Sequence, residues 1–337
     1  MTASFSPDKA PRPGANQLPA RLAARERPII IGVAGDSGSG KSTYTQGIEW
    51  LLGSERVSQI SLDGYHAEDR ATRRVSGRTP LDPEANHLDR AVSHIKRLRA
   101  GEAVEVPVYD HASGTFRAPR LHTPTPVVVI EGLHTLYPAF RPLLDFSVYV
   151  DTAAAVKRDW KQRRDTRERG YAESDVAAEI ERRAHQYDRW IAGQQDVADV
   201  ILRIHPSELS ELAVGQLSAE MPETCYHLEL IVTPRDDDQQ SLFLPVDLSN
   251  MTRQTAMPFM LATVPSQFRG QSVNVLHVDG YMAPTALETL EYAISSFVGL
   301  DAPAGDPVNG ATQPSTVRFA QMLVAWPVLN RIVALSG

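Results

Sequence analysis

The chain has 337 residues, 42% of them apolar and 22% charged, with a formal net charge of -7. That length supports one large α/β unit or two modest ones, and the acidic balance argues against non-specific nucleic-acid binding, which needs a basic surface. No apolar run approaches the roughly 20 residues of a membrane span, and the single cysteine, Cys225, can form neither an intrachain disulfide nor a cysteine-rich metal site, which suggests a reducing, cytoplasmic setting.

Residues 1–27 contain Pro11, Pro13, Gly14 and Pro19 and no apolar h-region, so a flexible tail is expected rather than a signal peptide. Residues 29–34 (IIIGVA) predict a buried strand, followed by a Gly-rich turn and a helix over 42–52. Residues 57–62 predict a second strand. The polar, Arg-rich stretch from Gly64 to Pro83 predicts a surface loop. Leu88, Val92, Ile95 and Leu98 recur at helical spacing within 84–100, and Gly101 stands where the helix would be capped. Residues 103–125 carry three prolines and are expected to be irregular. Further strands are expected at 127–131, 145–150 and 199–204, with helices from Asp151 to about Arg169 and over 173–191. Strands alternating with helices predict a three-layer α/β/α fold with a mainly parallel sheet.

After Pro206 the pattern changes. Strands are expected at 226–232 and 273–278 and a helix at 285–297, while Met251–Pro265 lacks clean periodicity. The expected organisation is a tail (1–27), a nucleotide-binding domain (28–205) and a β-rich C-terminal extension packed on it (206–337).

The most specific motif is GDSGSGKST, comprising Gly35, Asp36, Ser37, Gly38, Ser39, Gly40, Lys41, Ser42 and Thr43. It satisfies G-x-x-x-x-G-K-[ST], the phosphate-binding P-loop. Glycines let backbone N–H groups curl around phosphates, the following helix N-terminus adds a favourable dipole, lysine reaches the β- and γ-phosphates of ATP, and Ser42 is a ligand for Mg²⁺. Glu131, ending the VVVIE strand, can supply a second carboxylate near that metal, although a lone strand-end acid is more often merely solvated.

Asp63 follows the second strand, in the region beyond the strand ends where α/β sheets bind ligands. A carboxylate there can accept a proton from an acceptor hydroxyl. His66 and Arg70 could hold a sugar hydroxyl and a phosphate. In KQRRDTRERGY (161–171), Lys161, Asp165 and Arg169 form an i, i+4, i+8 ladder that reads equally as a solvated helix face or as a lid over ATP.

Taken together, GVAGDSGSGKST, SLDGYHAEDR, LDPEANHLD, PVYDHASGTF, VVVIEGLH, DFSVYVD and KQRRDTRERGY resemble the phosphoribulokinase/uridine kinase family of P-loop kinases. LDPEANHLD and PVYDH favour its phosphoribulokinase branch, of the plant, cyanobacterial and archaeal-like type. The resemblance implies transfer of the ATP γ-phosphate to the 1-hydroxyl of D-ribulose 5-phosphate, with Mg²⁺. It implies Asp63 as general base, His66 and Arg70 as sugar-phosphate contacts, and Asp165 as a second, metal-proximal acid. Lys161, Arg164 and Arg169 become lid cations, while Tyr109 and His111 fall near the acceptor. A homodimer is a prior from the relatives. Light-regulated relatives have cysteines where this chain has Ser39 and Ser61, so no cysteine-dependent regulatory partner is expected. Relatives also usually carry a second acid after the base, where this chain has Gly64. The alternatives are a kinase of the same fold acting on another sugar phosphate or on uridine or cytidine, and a non-catalytic ATP-binding regulator.

Overall fold

The run IIIGVAG, Ile29–Gly35, is buried along its whole length and forms strand β1, as expected of an interior strand covered on both faces. The structure, a computed structural model, describes residues 18–160, 184–217, 220–233, 257–300 and 313–336. Among the described residues, the main sheet has eight strands in the order β2-β5-β1-β6-β7-β8-β10-β9. Here β2 is Val57–Ser61, β5 Val127–Gly132, β6 Phe146–Thr152, β7 Val200–Pro206, β8 Tyr226–Val232, β9 Phe259–Phe268 and β10 Gln271–Gly280. The first five strands in that order pair in parallel, and β8, β10 and β9 continue the sheet with antiparallel pairing. The mainly parallel α/β fold with a β-rich extension is therefore observed, and the sheet runs unbroken across the expected boundary at 205/206.

Helix α2 (Lys41–Leu52) and α4 (Leu88–Arg99) fall where periodicity puts them, and Gly101 takes the left-handed conformation just past α4. Several segments differ from expectation. The Gly64–Pro83 "loop" contains α3, Arg70–Ser76, capped by Asp69 and ended by Gly77 at φ 71°. It buries none of its residues, so no apolar stripe announced it. The "irregular" 103–125 stretch is a hairpin of β3 (Val104–Asp110) and β4 (Thr115–His122). Pro107 sits at the register shift between Val106 and Val108, a position that needs no ladder N–H.

Of the expected tail, residues 1–17 lie outside the described residues, and the remainder includes a helix. Helix α1, Leu18–Ala23, buries Leu18 and Leu22 in the main core, and Arg21 and Arg25 donate to the carbonyls of Ser336 and Leu335. Strand β9 is a further difference, since it begins within the segment that lacked periodicity. Asp151 lies within β6, next to its last residue, rather than opening a helix; helical residues are 154–160 (α5) and 184–190 (α6). Residues 161–169 and 173–183 of the expected helices lie outside the described residues. A short helix, α7 (Leu209–Leu212), follows β7.

The longest helix among the described residues, α9 (Ser315–Leu335), was not expected at all. It is apolar nearly all round and buried, so it has no amphipathic period to detect. It packs against α2 and α8 (Pro284–Val298) on one face of the sheet. Gly47 permits its close approach, since a Cβ there would lie 2.8 Å from Gln321 Cβ, and Gln321 donates to the Thr43 carbonyl at 2.8 Å. The C-terminal helix thus braces the helix that follows the P-loop. Among the described residues, no helix is long and apolar enough to cross a membrane.

Candidate active site

Three neighbouring parallel strands deliver the site. β1 ends in the P-loop, β5 in Glu131, and β2 runs directly into a 3-10 turn, Leu62–Tyr65, that carries Asp63. Register fixes them side by side, with Glu131 opposite Val33 on one side and Ser61 on the other.

In the P-loop, Gly35, Gly38 and Gly40 have φ of 150°, 79° and 90°, values that favour glycine. At Gly35 space also decides: a Cβ would stand 2.4 Å from the Val150 carbonyl. Asp36 Oδ1 accepts from Ser37 N at 2.7 Å, and its Oδ2 pairs with Lys157 of α5 at 3.1 Å. Thr152 donates to the buried Ser39 carbonyl, tying β6 to the loop. Lys41 Nζ donates to the Gly35 and Asp36 carbonyls at 3.0 and 2.7 Å. A cavity of about 290 Å³ flanks the loop, lined by Asp36, Ser37, Asp151, Lys157 and Tyr187 among others.

Ser42 Oγ donates to Glu131 Oε1 at 3.1 Å, while Glu131 Oε2 is buried with no hydrogen-bond partner. Burial raises the Glu131 carboxyl; Lys41 opposes this and Asp63 adds to it. A hydroxyl beside a carboxylate with an unsatisfied oxygen is an all-oxygen donor set, and it fits Mg²⁺.

Asp63 lies in the opposite regime. Burial alone would raise its carboxyl, but the His111 hydrogen bond, the charge of His66 once protonated in the acid range where Asp63 titrates, and the charges of His111 and Lys41 outweigh this and hold it well below the usual carboxylate range. His111 Nε2 is 3.1 Å from Asp63 Oδ2, and His66 Nε2 is 3.7 Å from Oδ1.

The segments quoted above as family-like build the walls. In LDPEANHLD, Asp82 caps a short turn and Asn86 Nδ2 donates to the carbonyls of Pro80 and Asp82 at 3.0 and 2.7 Å. Those bonds leave Asn86 Oδ1 to accept from His66 Nδ1 at 2.8 Å. The His66 proton is thereby assigned to Nδ1, and Nε2 turns a lone pair toward Asp63. Burial also lowers the His66 pKa, favouring this neutral form. In PVYDHASGTF, Tyr109 stacks edge-on against both His66 and His111 and accepts from Arg73 at 2.8 Å.

Arg70 donates to the carbonyls of His111 and Ala112, so it holds the hairpin turn that presents His111. Lys161, Arg164, Asp165 and Arg169 lie outside the described residues. Sequence reasoning assigned no role to Asn86, although its motif was singled out, and gave none to Lys157. Gly64 was noted only as a departure from the relatives. A Cβ there would stand 2.1 Å from the Pro107 carbonyl oxygen, so the close seating of the hairpin excludes a side chain.

The family model described as "Phosphoribulokinase / Uridine kinase family" matches residues 30–210. The chain belongs to this family. It is 43% identical over 187 residues to a phosphoribulokinase of Synechocystis sp., covering 55% of this chain and 56% of that one. It is 33% identical over 279 residues to a chloroplastic phosphoribulokinase of Triticum aestivum, covering 76% and 68%. The chain thus spans only about half the length of the Synechocystis relative. Among solved structures, a phosphoribulokinase from Rhodobacter spheroides aligns over 93% of this chain and 99% of its own, with TM-score 0.55 and 18% identity. That likeness shows the shared fold.

Proposed function

We propose that this protein is a Mg²⁺- and ATP-dependent kinase that phosphorylates the 1-hydroxyl of D-ribulose 5-phosphate, giving ribulose 1,5-bisphosphate. The observation that carries the reading is the convergence of a P-loop, the Glu131 carboxylate with its one unsatisfied oxygen and the charge-stabilised Asp63 at the ends of β1, β5 and β2. Similarity to curated phosphoribulokinases supports the choice of acceptor.

The loop amides and Lys41 would hold the β- and γ-phosphates, and Ser42 and Glu131 would hold Mg²⁺. The bound ion would neutralise phosphate charge. The cavity beside the loop offers room for the nucleoside part of ATP. Asp63, ionised at neutral pH, accepts the proton of the acceptor hydroxyl as transfer proceeds. His111 donates to the far oxygen of that carboxylate and fixes its orientation. Asp63 Oδ1 and His66 Nε2 are two facing acceptors 3.7 Å apart, an arrangement that a substrate hydroxyl donor would satisfy. Arg70 would act through the His111 turn as well as on the substrate phosphate. Lys161, Arg164, Asp165 and Arg169 keep the lid roles implied by the family resemblance. Residues 28–205 would form the catalytic unit and 206–337 its extension, and a homodimer is the expected assembly.

The test is ADP release from purified protein with Mg-ATP and ribulose 5-phosphate, ribose 5-phosphate, uridine or cytidine. Selective turnover of ribulose 5-phosphate is expected. Turnover of another acceptor would keep the kinase mechanism and overturn the substrate. ATP binding with no acceptor-dependent ADP would overturn the enzyme reading.

A further inference from the structure

The antiparallel half of the sheet carries a second group of reactive side chains, on a strand face rather than at strand ends. Alternation puts Arg203 and His205 of β7, His227 and Glu229 of β8, and His277 and Asp279 of β10 on one side. Register sets His205 opposite His227, and Glu229 opposite both Arg203 and His277. Further along, the same face is apolar, with Ile201, Ile231, Val273 and Val275 packed in one cluster. Polar groups that interrupt such a face require partners.

Asp279 is fully buried and accepts from Ser207 Oγ and the Glu208 backbone N–H, both at 2.7 Å. Its Oδ2 lies 3.5 Å from His227 Nδ1, and Glu208 Oε2 lies 3.6 Å from the same nitrogen. With carboxylates on that side, the neutral ring keeps its proton at Nδ1 and turns the Nε2 lone pair away from them. There it meets His277 Nδ1 at 3.0 Å. One ligand atom each from His227, Glu229 and His277 lie within 4.8 Å of one another. His205 Nε2, buried and without a hydrogen-bond partner, is 3.9 Å from Glu229 Oε2.

We propose that this face binds a divalent transition-metal ion of the Zn²⁺ type, through His227 Nε2, His277 Nδ1 and Glu229, with Asp279 orienting His227. Two imidazoles and a carboxylate suit zinc and not Mg²⁺, which prefers oxygen ligands. A carboxylate behind a ligating imidazole is the recurring support of such sites. Zinc–ligand bonds of about 2.0–2.1 Å put tetrahedral ligands roughly 3.3 Å apart, so the two imidazoles need separate only slightly to admit the ion. His205 is placed to approach as a fourth ligand. Arg203 Nη1, 3.6 Å from Glu229 Oε2, competes for that carboxylate and makes the ion exchangeable rather than permanently held. Bound there, the ion would staple β8 to β10.

The test uses the untagged full chain, stripped with chelator and dialysed against Zn²⁺ in excess Mg²⁺, with bound metal counted. One Zn²⁺ per chain is expected, lost in His277→Ala and Glu229→Gln and bound roughly 10–100-fold more weakly in Asp279→Asn. Glu131→Gln, which alters the strand-end site, should retain full occupancy. No uptake by the wild type, or equal uptake by His277→Ala, overturns the proposal. Should the variants fold poorly, Co²⁺ added to the wild type decides. An intense visible band of a four-coordinate, nitrogen-ligated ion supports the site, and the weak spectrum of hydrated Co²⁺ sinks it.

Discussion

The two halves of the main sheet organise chemistry in different ways. In the parallel half, reactive groups stand at the carboxyl ends of β1, β2 and β5, each in or beside a contiguous motif. In the antiparallel half they stand along strand faces, assembled by register from residues as distant as His205 and His277. A strand-end site leaves a local signature, because a turn must approach phosphate and a helix must begin there. A face site leaves only alternating polar residues in separate strands.

The largest expected effects lie at the strand ends. Lys41→Ala should nearly abolish turnover, since no other P-loop side chain brings a cation to the phosphates. Asp63→Asn should lower kcat by roughly 10²–10⁴, the usual worth of a general base. Full speed in that variant would remove Asp63 from the role. Thermal melts test the electrostatics separately. The folded-state pKa of Asp63 is depressed, so its ionised form stabilises the fold above the unfolded carboxylate value of about 3.9. This contribution is lost as pH falls through the folded value, and the Tm gap between wild type and Asp63→Asn should close over that range.

Next is Gly64→Ala. The added Cβ would meet the backbone of Pro107, not a movable side chain, so the hairpin carrying Tyr109 and His111 must shift. Overpacking of this kind costs about 1–3 kcal/mol. A lower Tm together with a higher acceptor KM is expected; a variant unchanged in both would show that the hairpin adapts freely.

The Gly64 case also marks what could be read from sequence. The P-loop, β5 with Glu131 and the Asp63 turn were legible because each is a short segment with one demanding geometry. Asn86 was visible as part of a motif but not as the residue that fixes the His66 proton, because that role depends on carbonyls at Pro80 and Asp82. Helix α9 was illegible for the opposite reason: burial on nearly all sides erases the period that reveals surface helices. The β3–β4 hairpin was hidden by prolines that mark a bulge as readily as a loop.

A smaller effect, about tenfold in kcat/KM, is expected of Asn86→Ala, which removes one hydrogen bond to His66. Asn86→Asp sharpens the test. A carboxylate at Nδ1 would raise the His66 pKa, so protonation would persist to higher pH and the imidazolium would pair with Asp63. The acidic limb of the kcat/KM profile should therefore move upward in pH. A profile that stays in place would leave Asn86 as wall structure alone.

The smallest expected effect is at Cys225, immediately before β8. Burial, aided by Glu223 and Asp279, pushes its thiol up to about 12, so almost none is thiolate at neutral pH. A chain with one cysteine has no internal disulfide partner. Oxidant followed by thiol reductant should leave activity unchanged, as should Cys225→Ser in its response to both reagents. A large reversible loss in the wild type that Cys225→Ser abolishes would mean that this buried thiol is exposed by motion of the antiparallel half. That outcome would couple the two halves of the sheet, which the static arrangement keeps chemically separate.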